Sequence, residues 1–194
     1  AIKEAMSKEK CIIQIKNIPI TVNEWNFINQ LNYSEKEKKI LFGIMIHSKL
    51  NTERNLIQTK SSSGYYFGGG GKYNYKSLME SLNDKYTRTF LDKELHKIIR
   101  KFNVDGLTKT NMNTSLKLLF MEQINFDINI KFKIDNFDKI GLYWEKELGN
   151  NKIKSCIKCD DLIYNSNGKV KYCKTCANKI NIEKTLINRK NKYV

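Results

Sequence analysis

No stretch of this chain approaches the roughly 20 uninterrupted apolar residues that a bilayer span needs, so no membrane-spanning helix is expected. The opening run Ala1-Ile-Lys-Glu-Ala5 lacks the apolar core of a secretory signal, which predicts a cytoplasmic protein. Ala1 is not an initiator, so Met6 is a candidate native start, with the first five residues a remnant of processing or cloning. Arginine is scarce: only Arg54, Arg88, Arg100 and Arg189 occur, whereas DNA readers favour arginine for bidentate contacts to guanine. The two histidines, His47 and His96, have no paired acid and no serine or cysteine arrangement around them, and no catalytic residue is expected. Repeats at solenoid periods and a heptad seam are both missing.

What the chain does have is positive charge. Its 35 basic residues against 20 acidic ones give a formal charge of +15, which attracts polyanions such as DNA, RNA or an anionic membrane, with nucleic acid the favoured partner. Lysine, asparagine and isoleucine are abundant together, as they are when A- and T-rich codons dominate, so part of the lysine content reflects coding. The charge is uneven. Residues 151–194 hold 11 Lys and Arg against three acids, a balance of +8, leaving 24 against 17, or +7, for the first 150. The 194 residues, 40% hydrophobic, suffice for one medium domain with a core and a small appended module.

Residues 1–18 read as a charged arm and a short strand, Cys11-Ile-Ile-Gln-Ile15, ending near Pro19; Cys11 there is expected to be a buried free thiol rather than a ligand or nucleophile. Thr21-Val-Asn-Glu24 is a capping box that starts a helix burying Trp25, Ile28 and Leu31. Ser34-Glu-Lys-Glu37 repeats the pattern and opens a core helix with Ile40, Leu41, Ile44, Met45 and Leu50 at helical spacing. From Asn51 to Tyr73 periodicity stops, and the stretch around Ser61–Lys72 predicts a mobile loop. Its Gly68–Gly71 run before Lys72 is no phosphate loop, since Tyr66 occupies the first glycine position and Tyr73 follows the lysine. Tyr65, Tyr66 and Phe67 are candidates for stacking on bases or on a partner. A short helix, Tyr75–Leu82, a turn at Asn83-Asp-Lys-Tyr86, and a longer helix from Thr87 to Phe102 follow. The longer helix buries Leu91, Leu95, Ile98 and Phe102 and turns Arg88, Lys93, His96, Lys97 and Arg100 outward. Two extended runs, Ser115–Met121 and Phe126–Ile134, are read as a strand pair, with Lys131 and Lys133 on the basic face of the second. A last helix, Asn136–Leu148, buries Phe137, Ile140 and Trp144, and Gly149-Asn-Asn-Lys152 is a linker.

Four cysteines carry the strongest chemical signal. Cys156 and Cys159, then thirteen residues, then Cys173 and Cys176, form two C-x2-C pairs. A tight turn brings both sulfurs of a pair to one side, and two pairs complete a tetrahedron. Zinc suits four soft sulfurs without redox chemistry, and closure of all four positions makes the site structural; an iron–sulfur cluster, redox pairs or disulfides are the alternatives. Leu162-Ile-Tyr164 and Lys169-Val-Lys-Tyr172 flank the turn Asn165-Ser-Asn-Gly168, which predicts a hairpin between the pairs. Asp160 and Ala177 stand where knuckles often place glycine. Residues 176–190 predict a helix with Ile180, Ile187 and Leu186 inside. With four thiolates and Zn²⁺ the tail keeps a charge of about +6. No histidine lies in the tail, so the water-activating chemistry of zinc-finger nucleases has no residue to perform it.

By element order, residues 35–134 resemble a winged helix-turn-helix: helix, helix, recognition helix and a two-stranded wing. The resemblance implies that the Thr87–Lys101 helix enters a major groove, with Arg88, Lys93, Lys97 and Arg100 at the DNA, while Lys131 and Lys133 of the wing touch phosphates. Residues 156–190 loosely resemble a treble clef of the GATA DNA-binding type, although the tryptophan of that family is missing between the pairs and the spacer differs; a three-stranded zinc ribbon is the plain alternative. On this view Lys152, Lys154, Lys169, Lys171, Lys174 and Lys179 contact phosphates. The expectation is therefore an α+β protein: an arm (1–18), a winged-helix-like domain (19–149) with a loop at 51–73, and a four-cysteine zinc module (150–194). Its composition resembles that of phage or mobile-element DNA-binding proteins, regulators or replication accessories. A non-catalytic module that docks or inhibits a host nucleic-acid enzyme is the rival, and RNA binding a third reading.

Overall fold

The helix starts written in the sequence are realised in the geometry. Thr21 Oγ1 accepts the Glu24 N–H (3.2 Å), and Glu24 Oε2 accepts the Thr21 N–H (2.9 Å), so the predicted capping box starts helix α1 (Val22–Gln30) directly after strand β1 (Ile18–Thr21). The second box forms between Ser34 and Glu37 (2.8 and 3.3 Å) and opens α2 (Glu35–Thr59). The computed structural model describes residues 15–59, 64–68, 72–84, 87–110, 115–124, 129–165 and 168–191. The strand expected at 11–15 lies almost wholly outside them, as do Cys11 and parts of the glycine-rich segment.

From Ile40 to Ile46 α2 is buried on nearly every side and forms the centre of the core. Around it Trp25, Phe42, Phe132 and Trp144 meet, with ring centroids 4.9–6.3 Å apart, so that α1, α2, one strand and a late helix share one aromatic cluster. Beneath it Lys49 gives its ammonium to both Glu24 oxygens (2.7 and 2.9 Å) and to Pro19 O (2.6 Å), tying β1 and α1 to α2. The pair is nearly buried, and its three acceptors compensate the desolvated charge.

The mobile loop expected from Asn51 to Tyr73 is corrected in part: α2 continues to Thr59, β2 (Tyr66–Phe67) follows, and α3 (Lys72–Ser81) begins at Lys72, while 60–63 and 69–71 lie outside the described residues. The sequence from Asn51 to Thr59 is mostly polar and carries no apolar stripe, so periodicity could not reveal it. Asn51 and Thr52 hydrogen-bond Tyr66 O and Gly64 O (3.4 and 3.3 Å), holding β2 against α2. Thr87 Oγ1 then accepts the Phe90 N–H (3.1 Å) and starts a continuous helical run: α4 (Arg88–Phe90), a π-helical segment (Leu91–Leu95) and α5 (His96–Val104). Leu95, Ile99 and Phe102 are buried, and Ile98 is half-buried against the core, so the predicted stripe is corrected at Ile98; the side chain of Leu91 lies outside the described residues.

Helices α3, α5 and α7 (Ile140–Glu147) end in the same way, with the residue after the cap left-handed: Asn83 (φ 55°), Gly106 (φ 71°) and Gly149 (φ 85°). At each, paired backbone bonds reach back into the last turn, as from Leu107 N–H to Phe102 O (2.9 Å) and from Gly106 N–H to Asn103 O (3.2 Å). After Gly106 come β3 (Thr108–Thr110) and β4 (Leu116–Leu118), then the short α6 (Phe120–Gln123) and β5 (Ile130–Ile134).

The expected pairing of 115–121 with 126–134 does not form. β4 lies between β2 and β3 in an antiparallel three-stranded sheet, while β5 pairs antiparallel with β1, Ile18 opposite Ile134 and Ile20 opposite Phe132. Alternation in a strand specifies which face is buried, not which strand lies beside it. Within β5 the alternation holds only in part, since Ile134 is buried, Phe132 half-buried and Ile130 exposed past the irregularity at Ile20/Thr21. A 3₁₀ turn (Phe137–Lys139), begun by Asn136 accepting the Asp138 N–H (3.2 Å), leads into α7. No helix among the described residues is long and apolar enough to cross a membrane.

His47 on α2 sits against Phe67 edge to face and hydrogen-bonds Ser81 Oγ (3.1 Å), which itself donates to Leu78 O (2.7 Å). Burial, helped by the charge of Arg54, lowers its pKa from 6.5 to about 4. Above pH 6.5 the imidazole is neutral in folded and unfolded chains alike. As pH falls from 6.5 towards 4 the unfolded chain takes up a proton that the folded one refuses, so stability should drop, by roughly 3 kcal/mol in all from this group. Urea denaturation across that window checks it: His47→Gln should flatten the decline, and an unchanged slope would refute the assignment.

Candidate metal centre and basic surface

The segment from Asn150 onward folds around its cysteines. β6 (Ile153–Ser155) and β7 (Leu162–Tyr164) pair antiparallel, Ser155 opposite Leu162, which leaves 156–161 as a tight knuckle. Cys156 N–H donates to Asp161 O (2.8 Å) and Asp160 N–H to Cys156 O (2.9 Å). Asp160 is left-handed (φ 58°), the position where glycine is usual and one that aspartate tolerates. Ile157 N–H reaches Lys171 O (3.1 Å), bringing the approach to the second pair alongside the first. Cys173 stands just before α8 (Lys174–Asn191), and Cys176 lies in its first turn, where its N–H points at Cys173 Sγ (3.5 Å).

The hairpin predicted between Leu162–Tyr164 and Lys169–Tyr172 is corrected. β7 pairs backward with β6, and no strand forms at 169–172; Asn165 instead closes that loop through its side chain, donating to Val170 O (2.9 Å) and accepting the Val170 N–H (3.2 Å). The inward side predicted for α8 is corrected as well, since Ile180 is only half-buried and Leu186 and Ile187 are exposed.

The four sulfurs, drawn from two distant C-x2-C pairs, all lie within 4.8 Å of one another, three of the cysteines buried and Cys159 exposed. All four thiols are free. Cys159 and Cys173 Sγ are 3.7 Å apart, far beyond a disulfide bond. Four sulfurs at about 2.3 Å from a tetrahedral metal would be about 3.8 Å from each other, so this spacing fits a bound ion. Burial raises the Cys156 pKa, yet backbone hydrogen bonds from Cys173, Lys158 and Cys159 outweigh it and bring it down to about 6. Cys176, hydrogen-bonded to Cys159 and itself buried, is pushed up to about 12. A thiolate at Cys156 disfavours a second one beside it, and a multivalent cation at their centre would allow all four to ionise. The cluster can therefore hold a metal ion and is consistent with zinc.

The chain matches no known protein family model, no curated protein and no solved structure.

The knuckle is seated on the rest of the chain rather than strung from it. Gly149-Asn-Asn-Lys152, expected as a linker, is the turn that ends α7, and β6 follows at once. Ile153 and Leu162 join the main core, while Asp161 takes Lys139 Nζ and the Asn136 side chain (2.9 Å), and Lys139 also donates to Leu162 O (2.8 Å). A groove of about 420 Å³ lies at this junction, lined by Asp135, Asn136, Phe137, Asp138, Asp161 and Cys159. Asp135 and Asp161 are already engaged there, by the Tyr143 hydroxyl and Lys139.

Of the residues expected at nucleic acid, Lys93, Lys97 and Arg100 are exposed along the helix through α5 and have no ion-pair partner among the described residues. Arg88 opens α4. Lys101 and Lys36 on the same surface are committed to Glu37 and Glu94 (2.8 and 3.0 Å). Lys133 is exposed on β5, but Lys131 is engaged, pairing with Glu147 (3.4 Å) and lying over the Trp25 ring (5.4 Å). Lys169, Lys171, Lys174 and Lys179 are exposed around the cysteine cluster. Phe67 is buried against His47 and Tyr75, and Tyr65 and Tyr66 are half-buried, so the expected stacking platform is not open. Sequence reasoning missed Lys109, exposed in β3 on the hairpin that follows α5; Thr108-Lys-Thr110 directly after the Asp105-Gly106 stop was the available sign.

Proposed function

We propose that the chain is a zinc-stabilised DNA-binding protein, a winged helix-turn-helix body joined to a treble-clef-like four-cysteine module. The element order supports the first half. A helix (α2), a strand (β2), two helical segments (α3, then α4 to α5) and two strands (β3, β4) follow one another, and the last strand lies between the other two. We read this order as that of a winged helix, with the wing at β3–β4 rather than at β5 and residues 111–114 outside the described residues. The observation that carries the reading is on α4 to α5: burial of Leu95, Ile99 and Phe102 leaves Lys93, Lys97 and Arg100 outward and unpaired among the described residues. Such a helix can lie in a major groove with its cations at the phosphates. Cys156, Cys159, Cys173 and Cys176 would hold Zn²⁺, which supplies folding energy and no catalysis because its coordination is full. Composition supports a role as a regulator or replication accessory factor of a phage or mobile element.

A titration of the metal-loaded protein against duplex DNA at rising salt tests this. Binding should weaken steeply, and the triple variant K93E/K97E/R100E should bind at least tenfold less tightly, with a log–log salt slope shallower by about 2 to 3. Equal binding by variant and wild type would remove this helix from the interface. No binding of any duplex at low salt, with capture of single-stranded RNA or a protein instead, would overturn the reading.

A further inference from the structure

Helix α8 leaves the cysteine cluster, and past Ile180 none of its described side chains is buried. Its first turn is held by Cys173 and Cys176, Ile180 is half-buried, and every residue from Asn181 to Asn188 is exposed, including Ile182, Leu186 and Ile187 at 60, 53 and 56%. At 18 residues it is about 27 Å long. A helix of that length carrying bare apolar side chains has an unpartnered surface to account for.

The orientation of that surface follows from one contact. Lys158 in the knuckle pairs with Glu183 (3.7 Å), so the side of α8 that carries Ile180 and Glu183 faces the module. About a quarter turn round the helix, Lys179, Ile182 and Leu186 follow at spacings of three and four and form one outward face. The helix sequence holds five basic residues, Lys174, Lys179, Lys184, Arg189 and Lys190, against the single acid Glu183, and that acid is already paired. A cationic helix repels a second copy of itself and is complementary to a polyanion.

We propose that α8 is a second DNA-reading helix, which lies in a major groove and sets Ile182 and Leu186 against the 5-methyl groups of thymine while its lysines reach flanking phosphates. An extended helix fits the major groove, thymine is the one base that presents a methyl there, and an aliphatic side chain is the group that recognises it. The proposal rests on the DNA-binding reading above and adds to it which base is recognised and by what.

The test uses the full, metal-loaded chain and two probes, alternating poly(dA-dT) and its poly(dA-dU) counterpart, which differ only in the thymine methyl. Wild type should bind the uracil duplex several-fold more weakly, and I182A/L186A should bind the two duplexes alike. Because both side chains are exposed, the variant should keep the wild-type circular dichroism and metal content. Equal binding of the two duplexes by wild type overturns the role of α8 while leaving DNA binding intact, as does methyl sensitivity that persists in the variant. Failure of wild type to bind either duplex overturns the DNA-binding reading itself. Self-association abolished by I182A/L186A, with no methyl sensitivity, gives the face to a second copy and overturns the proposal.

Discussion

Stripping the metal from the cysteine cluster should unfold the knuckle and α8 while the body of the protein stays folded. The physical ground is the size of what remains. Among the described residues, apart from Ile153 and Leu162, which pack into the main core, the module's own apolar interior consists of Cys156, Ile163, Cys173 and Cys176, and α8 contributes no buried side chain beyond Cys176. So small an apolar cluster cannot offset the entropy of ordering about forty residues. Zinc in small fingers supplies an apparent 10 to 16 kcal/mol near neutral pH, so zinc bound at these four sulfurs would be the dominant stabilising contribution. After chelation, amide exchange across 156–191 should rise towards unfolded rates, while the amides of α5 and the core of α2 remain protected. Cys173→Ser should have the same effect without chelator. One zinc per chain by mass spectrometry is the accompanying expectation. Unchanged protection of α8 after complete metal removal would show that the metal does not hold the module together.

The second large effect is expected at a residue that sequence arguments would assign the opposite sign. Gly141 lies inside α7, where replacing glycine by alanine ordinarily stabilises a helix by about 1 kcal/mol. Here a Cβ at 141 would stand 2.2 Å from the carbonyl oxygen of Leu82 and 2.6 Å from its carbonyl carbon. These are backbone atoms just beyond the end of α3, so no rotamer change can relieve the overlap. Gly141→Ala should therefore destabilise the protein by roughly 3 to 5 kcal/mol, in the range reserved for severe packing faults. Gly43→Ala in α2 is the informative comparison, because its Cβ would meet only the side-chain ends of Leu78 and Leu82 (2.7 and 2.9 Å). Those can shift, and the cost should be about 1 to 3 kcal/mol. Urea denaturation of both metal-loaded variants decides the matter. A Gly141→Ala protein as stable as wild type would mean that α7 does not approach α3 as closely as described. Because Lys139 and Asn136, just ahead of α7, anchor the knuckle, displacement of α7 should also loosen the module.

Local chemistry was legible along the chain. The capping boxes at Thr21 and Ser34, the stops at Asn83, Gly106 and Gly149, the core position of α2 and the convergence of four cysteines each depend on residues within a few positions of one another, or on a spacing that one ion imposes. Such signals survive in sequence because the interactions that produce them are short-ranged. The charge on the helix through α5 was legible for the same reason, since a 3.6-residue period separates a buried side from an exposed one.

What only the tertiary structure decided were matters of partnership. The sequence determined that 116–118 and 130–134 are extended, but the packing of α2 and β2 decided that the first joins β2 and β3, and β1 decided the fate of the second. Lys131 was recognisable as a cation, yet only the fold brought Glu147 and Trp25 to it. Packing against the core buries Ile99 more fully than Ile98, and Leu82 O, 59 residues away in sequence, leaves no room for a Cβ at Gly141. In each case the deciding contact is between segments far apart in the chain, and its energy depends on distances that no local pattern of polar and apolar residues encodes.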